Sequence, residues 1–298
     1  MKLAVAMTVL VLLVGGSTGA EPQTLKVYIS ADMEGVGGVA TWAVQASAGH
    51  REYEQFRGLM TEEVNAAIAG AFDAGATEVL VSDSHGSGQN IDVEKLDERA
   101  KLIRAWPRPL LMAAGIDETF DAAIFVGYHA ADGRANGVLA HTMGSGLIEL
   151  KLNGTMVSEG GFTAAIAGDF GVPVVFVSGD QTACKEIQDL IGPIEAAVVK
   201  HATGFYSATM KHPNLVRKEI REGVKRGLER RHELKPYKVA RPVKMELTFS
   251  DISKAEVFSY LPGVKRPRGN VVVISSPDMV QASKYLNIAL YLDTDEGS

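Results

Sequence analysis

The segment Leu25-Lys26-Val27-Tyr28-Ile29-Ser30-Ala31-Asp32-Met33-Glu34-Gly35 decides how the chain is read. Its first five residues are mostly β-branched, aromatic or aliphatic and contain no breaker, which predicts a buried strand. Side chains repeat every second residue along a strand. A strand continued through Glu34 would point Asp32 and Glu34 the same way, with Cα atoms about 6–7 Å apart. Two carboxylates at the end of an apolar strand repel each other unless something positive lies between them. A divalent metal suits that place, because it takes carboxylate oxygen at roughly 2.0–2.2 Å. Asp-x-Glu alone is also compatible with an Asp N-cap or a solvated loop pair.

The neighbouring segments repeat the pattern. Glu52 to Ala74 carries Phe56, Met60, Val64, Ile68 and Phe72 at helical spacing, with Gly75 placed to end the helix. Thr77 to Ser82 reads as a strand and runs into Asp83-Ser84-His85-Gly86. Strand, helix and strand at this spacing form a βαβ unit and imply a parallel sheet. A third apolar strand, Ala122 to Tyr128, ends at His129. Residues 131–146 are rich in glycine and small residues, carry His141, and read as a loop. Leu147 to Leu152 is an edge-strand candidate that turns at Asn153-Gly154. Ser158 can cap a helix from Glu159 to Phe170, and Val174 to Val177 is a fourth strand ending near Asp180.

Four apolar strands thus end in Asp32 and Glu34, Asp83 and His85, His129, and Asp180. In open α/β sheets the site lies outside the carboxyl ends of the strands, so the set points to metal more strongly than any one motif. Each residue also has a plainer reading: an Asx-turn for Asp83, an N-cap for Asp180, a first-turn helix stabiliser for Glu159. His50, His201, His212 and His232 lie in polar surroundings and read as surface residues. His-Glu-x-x-His and Walker A patterns are absent.

The fold class expected is α/β: a Rossmann-like, mostly parallel sheet with helices on both faces, plus a smaller α+β C-terminal unit. Residues 21–205 are expected to form the metal-site domain and residues 206–298 the smaller one. Between Lys211 and Lys244 there are twelve Lys/Arg against four Asp/Glu, while Val216, Ile220, Val224 and Leu228 recur every four residues. That describes a solvated basic face over an apolar stripe. A net charge of -6 argues against a nucleic-acid partner. At the start, Lys2, the short apolar run Leu3 to Val14 and Thr18-Gly19-Ala20 read as a signal peptide over residues 1–20. An exported protein, periplasmic or extracellular, is expected, with no stable membrane anchor. Cys184 is the only cysteine and reads as a core residue.

Taken together, Ser30 to Gly35, Ser82-Asp83-Ser84-His85-Gly86, Gly127-Tyr128-His129-Ala130 and Asn153-Gly154…Ser158-Glu159 resemble the DppA-like D-aminopeptidase family of binuclear zinc peptidases over roughly residues 25 to 290. The resemblance implies two Zn2+ per chain. Asp32 would bridge them, Glu34 and His85 would complete one site, and His129 and Glu159 the other. His141 matches the family's proposed catalytic histidine. The implied activity is release of N-terminal D-amino acids such as D-Ala from short peptides, by ring-like homo-decamers with their sites facing an inner chamber. One member of that family begins almost directly at the first strand, whereas this chain carries an export leader, which moves the expected substrates to the cell envelope. Two other functions use the same ligands: an exported metal- or solute-binding protein without turnover, and another metal-dependent amidohydrolase or phosphoesterase.

Overall fold

The computed structural model describes residues 24–144 and 146–292. The leader expected over residues 1–20 lies outside them. In chain order the elements are β1 (Lys26–Ala31), a π-helical turn (Trp42–Ala46), α1 (Tyr53–Asp73), β2 (Glu78–Asp83), β3 (Ala100–Ile103), β4 (Ala122–Tyr128), β5 (Leu147–Leu152) and β6 (Thr155–Met156). Then follow α2 (Glu159–Asp169), β7 (Val174–Asp180), α3 (Gln181–Ile191), β8 (Glu195–Gly204), β9 (Ser207–Met210) and α4 (Pro213–Glu229). Beyond them lie β10 (Val243–Phe249), α5 (Ile252–Phe258), β11 (Lys265–Arg268), β12 (Val271–Ser276) and α6 (Met279–Tyr291).

The main sheet has seven strands in the order β3-β2-β1-β4-β7-β8-β9. All neighbours are parallel except the last pair, β8 and β9. Counted along this sheet alone, the first six strands run 3-2-1-4-5-6. This is the doubly wound order, whose switch point lies between the first and fourth strands. Here those are β1 and β4. Alternation along β1 sends Val27 and Ile29 to one face, where Met60, Val64 and Ile68 of α1 and Val216, Ile220 and Val224 of α4 cover them. Tyr28 goes to the other face, into a core shared with Phe162 of α2 and Ile187 of α3. The mostly parallel α/β class with helices on both faces is what the structure shows.

A second sheet of five strands, β11-β12-β10-β5-β6, supplies Leu150, Met245, Leu247 and Ile274 to that second core. Its membership corrects two expectations. The division at residue 205 does not follow the sheets: β9 and α4 belong with the first sheet, while β5 and β6, from before residue 205, pair with β10 in the second. The basic texture after Lys211 recorded the solvated side of α4, which carries no information about which sheet its apolar stripe covers. Leu147 to Leu152 is also not an edge, since β5 lies between β10 and β6. The turn at Asn153-Gly154 is as read, with φ of 48° and 85°, the left-handed pair that a two-residue hairpin requires.

β1 ends at Ala31, so Asp32 and Glu34 do not share a continuing strand. Asp32 N still bonds Val126 O at 2.8 Å, and the chain then turns so that Gly35 N reaches Gly127 O at 2.7 Å. A Cβ on Gly35 would stand 2.0 Å from Tyr128 O, so only glycine lets the loop close onto the end of β4. That closure brings the carboxylates of Asp32 and Glu34 beside His129.

Candidate metal centre

Four elements converge at the switch point. Asp32 and Glu34 come from the turn after β1, His85 from the loop after β2, His129 from the end of β4, and Glu159 from the first position of α2. His141 arrives on the loop before β5. Asp32 is central. Its Oδ1 lies 3.3 Å from His85 Nδ1 and its Oδ2 lies 3.4 Å from His129 Nε2. Glu34 Oε2 meets His85 Nδ1 at 2.8 Å. Glu159 Oε1 stands 3.4 Å from His129 Nε2 and 3.5 Å from His141 Nε2. The potential ligand atoms fall into two triads, Asp32, Glu34 and His85, and His129, His141 and Glu159.

Backbone carbonyls fix the tautomer of every ring. A carbonyl only accepts, so the ring nitrogen that meets it carries the proton. His85 Nε2 donates to Ala46 O at 2.6 Å, His129 Nδ1 to Ala130 O at 2.9 Å, and His141 Nδ1 to Leu139 O at 2.8 Å. Each ring therefore turns its other nitrogen into the carboxylate cluster, the arrangement by which proteins present imidazole to a metal. The His129 and His141 rings stack at 4.0 Å, nearly parallel.

The group passes a direct test of fit to zinc. Asp32 Oδ2 and His129 Nε2 are both buried and both lack any hydrogen-bond partner, a costly state for polar atoms unless something else satisfies them. Four of the carboxylate–imidazole separations, 3.3 to 3.5 Å, are long for hydrogen bonds. They match the roughly 3.4 Å edge expected when O and N both lie near 2.1 Å from one tetrahedral ion. Glu34 and His85 are closer, at hydrogen-bonding distance. Carboxylates and imidazoles are also the donors that zinc takes.

The charges are mutually arranged. Burial raises the Asp32 pKa, and the neighbouring charge of Glu34 raises it further. Burial also opposes ionisation of Glu34, but His85 outweighs it and holds that carboxyl well below its usual range. Burial disfavours an imidazolium at His85 and His129; the charges of Glu34 and Glu159 respectively overcome this and hold both rings well above the ordinary histidine value. Beneath the loop, the buried Lys200 ammonium donates to the carbonyls of Glu34, Val36 and Val39, the last two at 3.0 and 2.6 Å, and burial lowers its pKa to about 8.

Other polar strand ends serve the scaffold. Asp83 accepts from Asn90 N and Ile91 N at 2.6 and 2.8 Å and ties down the loop that carries His85. Asp180 caps α3, accepting from Thr182 N and Ala183 N at 2.8 and 2.9 Å. His50, His201, His212 and His232 are exposed, and Cys184 is buried with its thiol pushed up to about 12 by burial. Glu159 combines its two readings: it opens α2, yet its side chain turns inward and accepts from Met143 N at 2.6 Å. The centre opens into a cavity of about 400 Å³ with an apolar wall of Trp106, Leu111, Met112, Met143 and Leu290. That wall and Trp42, which donates to Glu34 Oε1 at 2.8 Å, have no spacing signature in the sequence.

Residues 25–288 match the peptidase M55 family model, described as D-aminopeptidase. The D-aminopeptidase of Bacillus subtilis (strain 168) is 37% identical over 262 residues, covering 87% of this chain and 94% of that protein. A solved structure described as the zinc-dependent D-aminopeptidase DppA from Bacillus subtilis, a self-compartmentalizing protease, superposes with a TM-score of 0.87 at 34% identity, covering 91% of this chain and all of that one.

Proposed function

We propose, for a chain that belongs to the D-aminopeptidase family and is a metallo-aminopeptidase of that type, that two zinc ions per chain occupy the cluster and that the substrates are short peptides with an N-terminal D-amino acid such as D-Ala. The observation that carries this is the pair of buried, unpartnered atoms at the centre, Asp32 Oδ2 and His129 Nε2, facing each other at 3.4 Å. Asp32, Glu34 and His85 would hold one ion, and Asp32, His129 and Glu159 the other. Bound there, zinc supplies Lewis acidity, which acidifies water and polarises a carbonyl.

The chain's own residues do the rest. With Nδ1–H tied to Leu139 O, His141 presents the Nε2 lone pair to the cavity, where it takes a proton from the attacking water and passes it to the departing amine. Met143 N–H holds Glu159 in place. The apolar wall seats the residue beside the scissile bond and displaces water from it.

Removal of zinc with a chelator is expected to abolish hydrolysis of D-Ala p-nitroanilide, and added zinc to restore it. Hydrolysis that survives complete removal contradicts the reading. The pH dependence has a definite sign. His85 and His129 are held above the ordinary histidine value, so protons compete for the nitrogens that zinc requires. Zinc binding releases those protons, and apparent affinity falls as pH falls. Because both rings are held above the roughly 6.5 of free histidine, activity is expected to begin falling above that pH and to keep falling below it. Unchanged rate and zinc content at pH 4 would count against histidine ligation.

Assembly into a homo-oligomer, with a decamer as the specific proposal, is supported by the self-compartmentalizing description of the superposed neighbour. Export is supported by the order of Lys2, the apolar run and Thr18-Gly19-Ala20; among the described residues no helix is long and apolar enough to cross a membrane. Exported, the enzyme would meet D-Ala peptides of wall turnover. N-terminal sequencing of the secreted protein is expected to begin near Glu21, and recovery of Met1 argues against cleavage.

A further inference from the structure

The π-helical turn Trp42–Ala46 touches the centre at both of its ends. At the first, Trp42 Nε1–H donates to Glu34 Oε1 at 2.8 Å. At the last, Ala46 O accepts from His85 Nε2 at 2.6 Å. The Trp42 ring also stands edge-on to His141, with ring centroids 5.2 Å apart. One short turn therefore fixes the free oxygen of one carboxylate, the tautomer of one imidazole, and the flank of a third residue. Wider π-type turns of this kind often occur at functional sites. Here the geometry has a use: the turn is five residues long from Trp42 to Ala46, and both ends face one point, the Glu34–His85 pair.

The turn is itself held in place. Gln45 Oε1 accepts from Ala40 N and Thr41 N at 2.8 and 3.1 Å, closing the approach to the turn. Phe205 and Tyr206, at the tip of the β8–β9 hairpin, pack edge-on against the outer side of Trp42, at 5.8 and 6.1 Å. Phe205 O accepts from Leu139 N at 3.0 Å, and Leu139 O in turn holds His141. Hairpin, indole and His141 loop thus form one connected support.

We propose that the turn Trp42–Ala46 positions the Glu34–His85 half of the metal centre, with Trp42 as the positioning residue for Glu34. The inference rests on the two-zinc reading above. Without the indole donor, Glu34 Oε1 loses its fixed partner and the carboxylate can rotate away from His85. Outer partners of this kind commonly govern metal affinity by about 10–100-fold. The His129–Glu159 half does not touch the turn and should keep its ion.

Trp42→Phe removes the N–H and keeps a ring against His141 and Phe205. Zinc affinity, measured by competition with a chromophoric chelator, is expected to weaken about 10–100-fold for one of two ions and to stay unchanged for the other. If Trp42 acts through Glu34, W42F adds no further loss in a Glu34→Ala background, whereas a merely structural role gives additive losses. Trp106→Phe leaves Trp42 as the sole tryptophan of a chain that has two, and its emission is expected to change as zinc loads the Glu34 site. Unchanged affinity for both ions in W42F, additive losses in the cycle, or flat Trp42 emission on zinc loading each overturn the positioning role. A parent protein that takes up no stoichiometric zinc overturns the two-zinc reading and this inference with it.

Discussion

Asp32→Ala is expected to lose both zinc ions and all measurable peptidase activity. The reason lies in the two faces of one carboxylate. Oδ1 is turned to His85 and Oδ2 to His129, at 3.3 and 3.4 Å, so each half of the centre depends on the same side chain. Without it the first half keeps only Glu34 and His85, and the second only His129 and Glu159. Two protein ligands fall short of the three that catalytic zinc sites ordinarily have. The loss should also free His129 Nε2 from its unpartnered opposition to Asp32 Oδ2, so the folded state need not suffer. Circular dichroism and thermal melting are expected to show a folded apo protein. Elemental analysis of this variant decides the matter: two ions retained rules out the bridging role, and one retained assigns Asp32 to a single half.

His141→Ala carries the second largest expected effect. The variant should fold, retain both ions and lose roughly 10²–10⁴ in rate, the range of general acid–base work. His141 is the least enclosed of the three site histidines, with its side chain 25% exposed against 8% and 1% for His85 and His129. It lines the cavity and turns Nε2 toward it, while Nδ1 is committed to Leu139 O. A second role has a specific observation behind it: Nε2 lies 3.5 Å from Glu159 Oε1, the same kind of separation that the ligands show. Loss of one zinc ion in the variant would therefore make His141 a ligand. A fully loaded variant within about threefold of the parent kcat would remove it from the proton transfer.

Much of this centre was legible because of how parallel sheets are built. Their strands are buried on both faces and read as apolar runs, so the first polar residue after each run marks the end where sites form. Asp32, His85 and His129 stood out for that reason. The convergence of Asp32 with Glu34 was legible, but the route to it was not. The strand stops at Ala31, and a turn closed by Gly35 against Tyr128 O does the work assigned to strand alternation. β3 and β8 were missed because each is only partly buried, which blurs the apolar pattern. The sheet boundary was hidden by charge. The arginines of α4 pair with acids of the first unit, Arg221 with Asp73 at 2.6 Å and Arg226 with Glu195 at 3.0 Å, and composition does not reveal such partners. Trp42 was invisible for a related reason: its bond to Glu34 depends on the fold of the intervening turn.

The most direct measurement takes one preparation of purified protein and determines both its metal content and its rates on D-Ala and L-Ala p-nitroanilide. About two zinc ions per chain are expected, with hydrolysis of the D-substrate far exceeding that of the L-substrate and vanishing when the zinc is removed. Protein that holds no stoichiometric zinc, or that is fully loaded and cleaves the L-substrate as fast as the D-substrate, would contradict a zinc-dependent D-aminopeptidase at this centre.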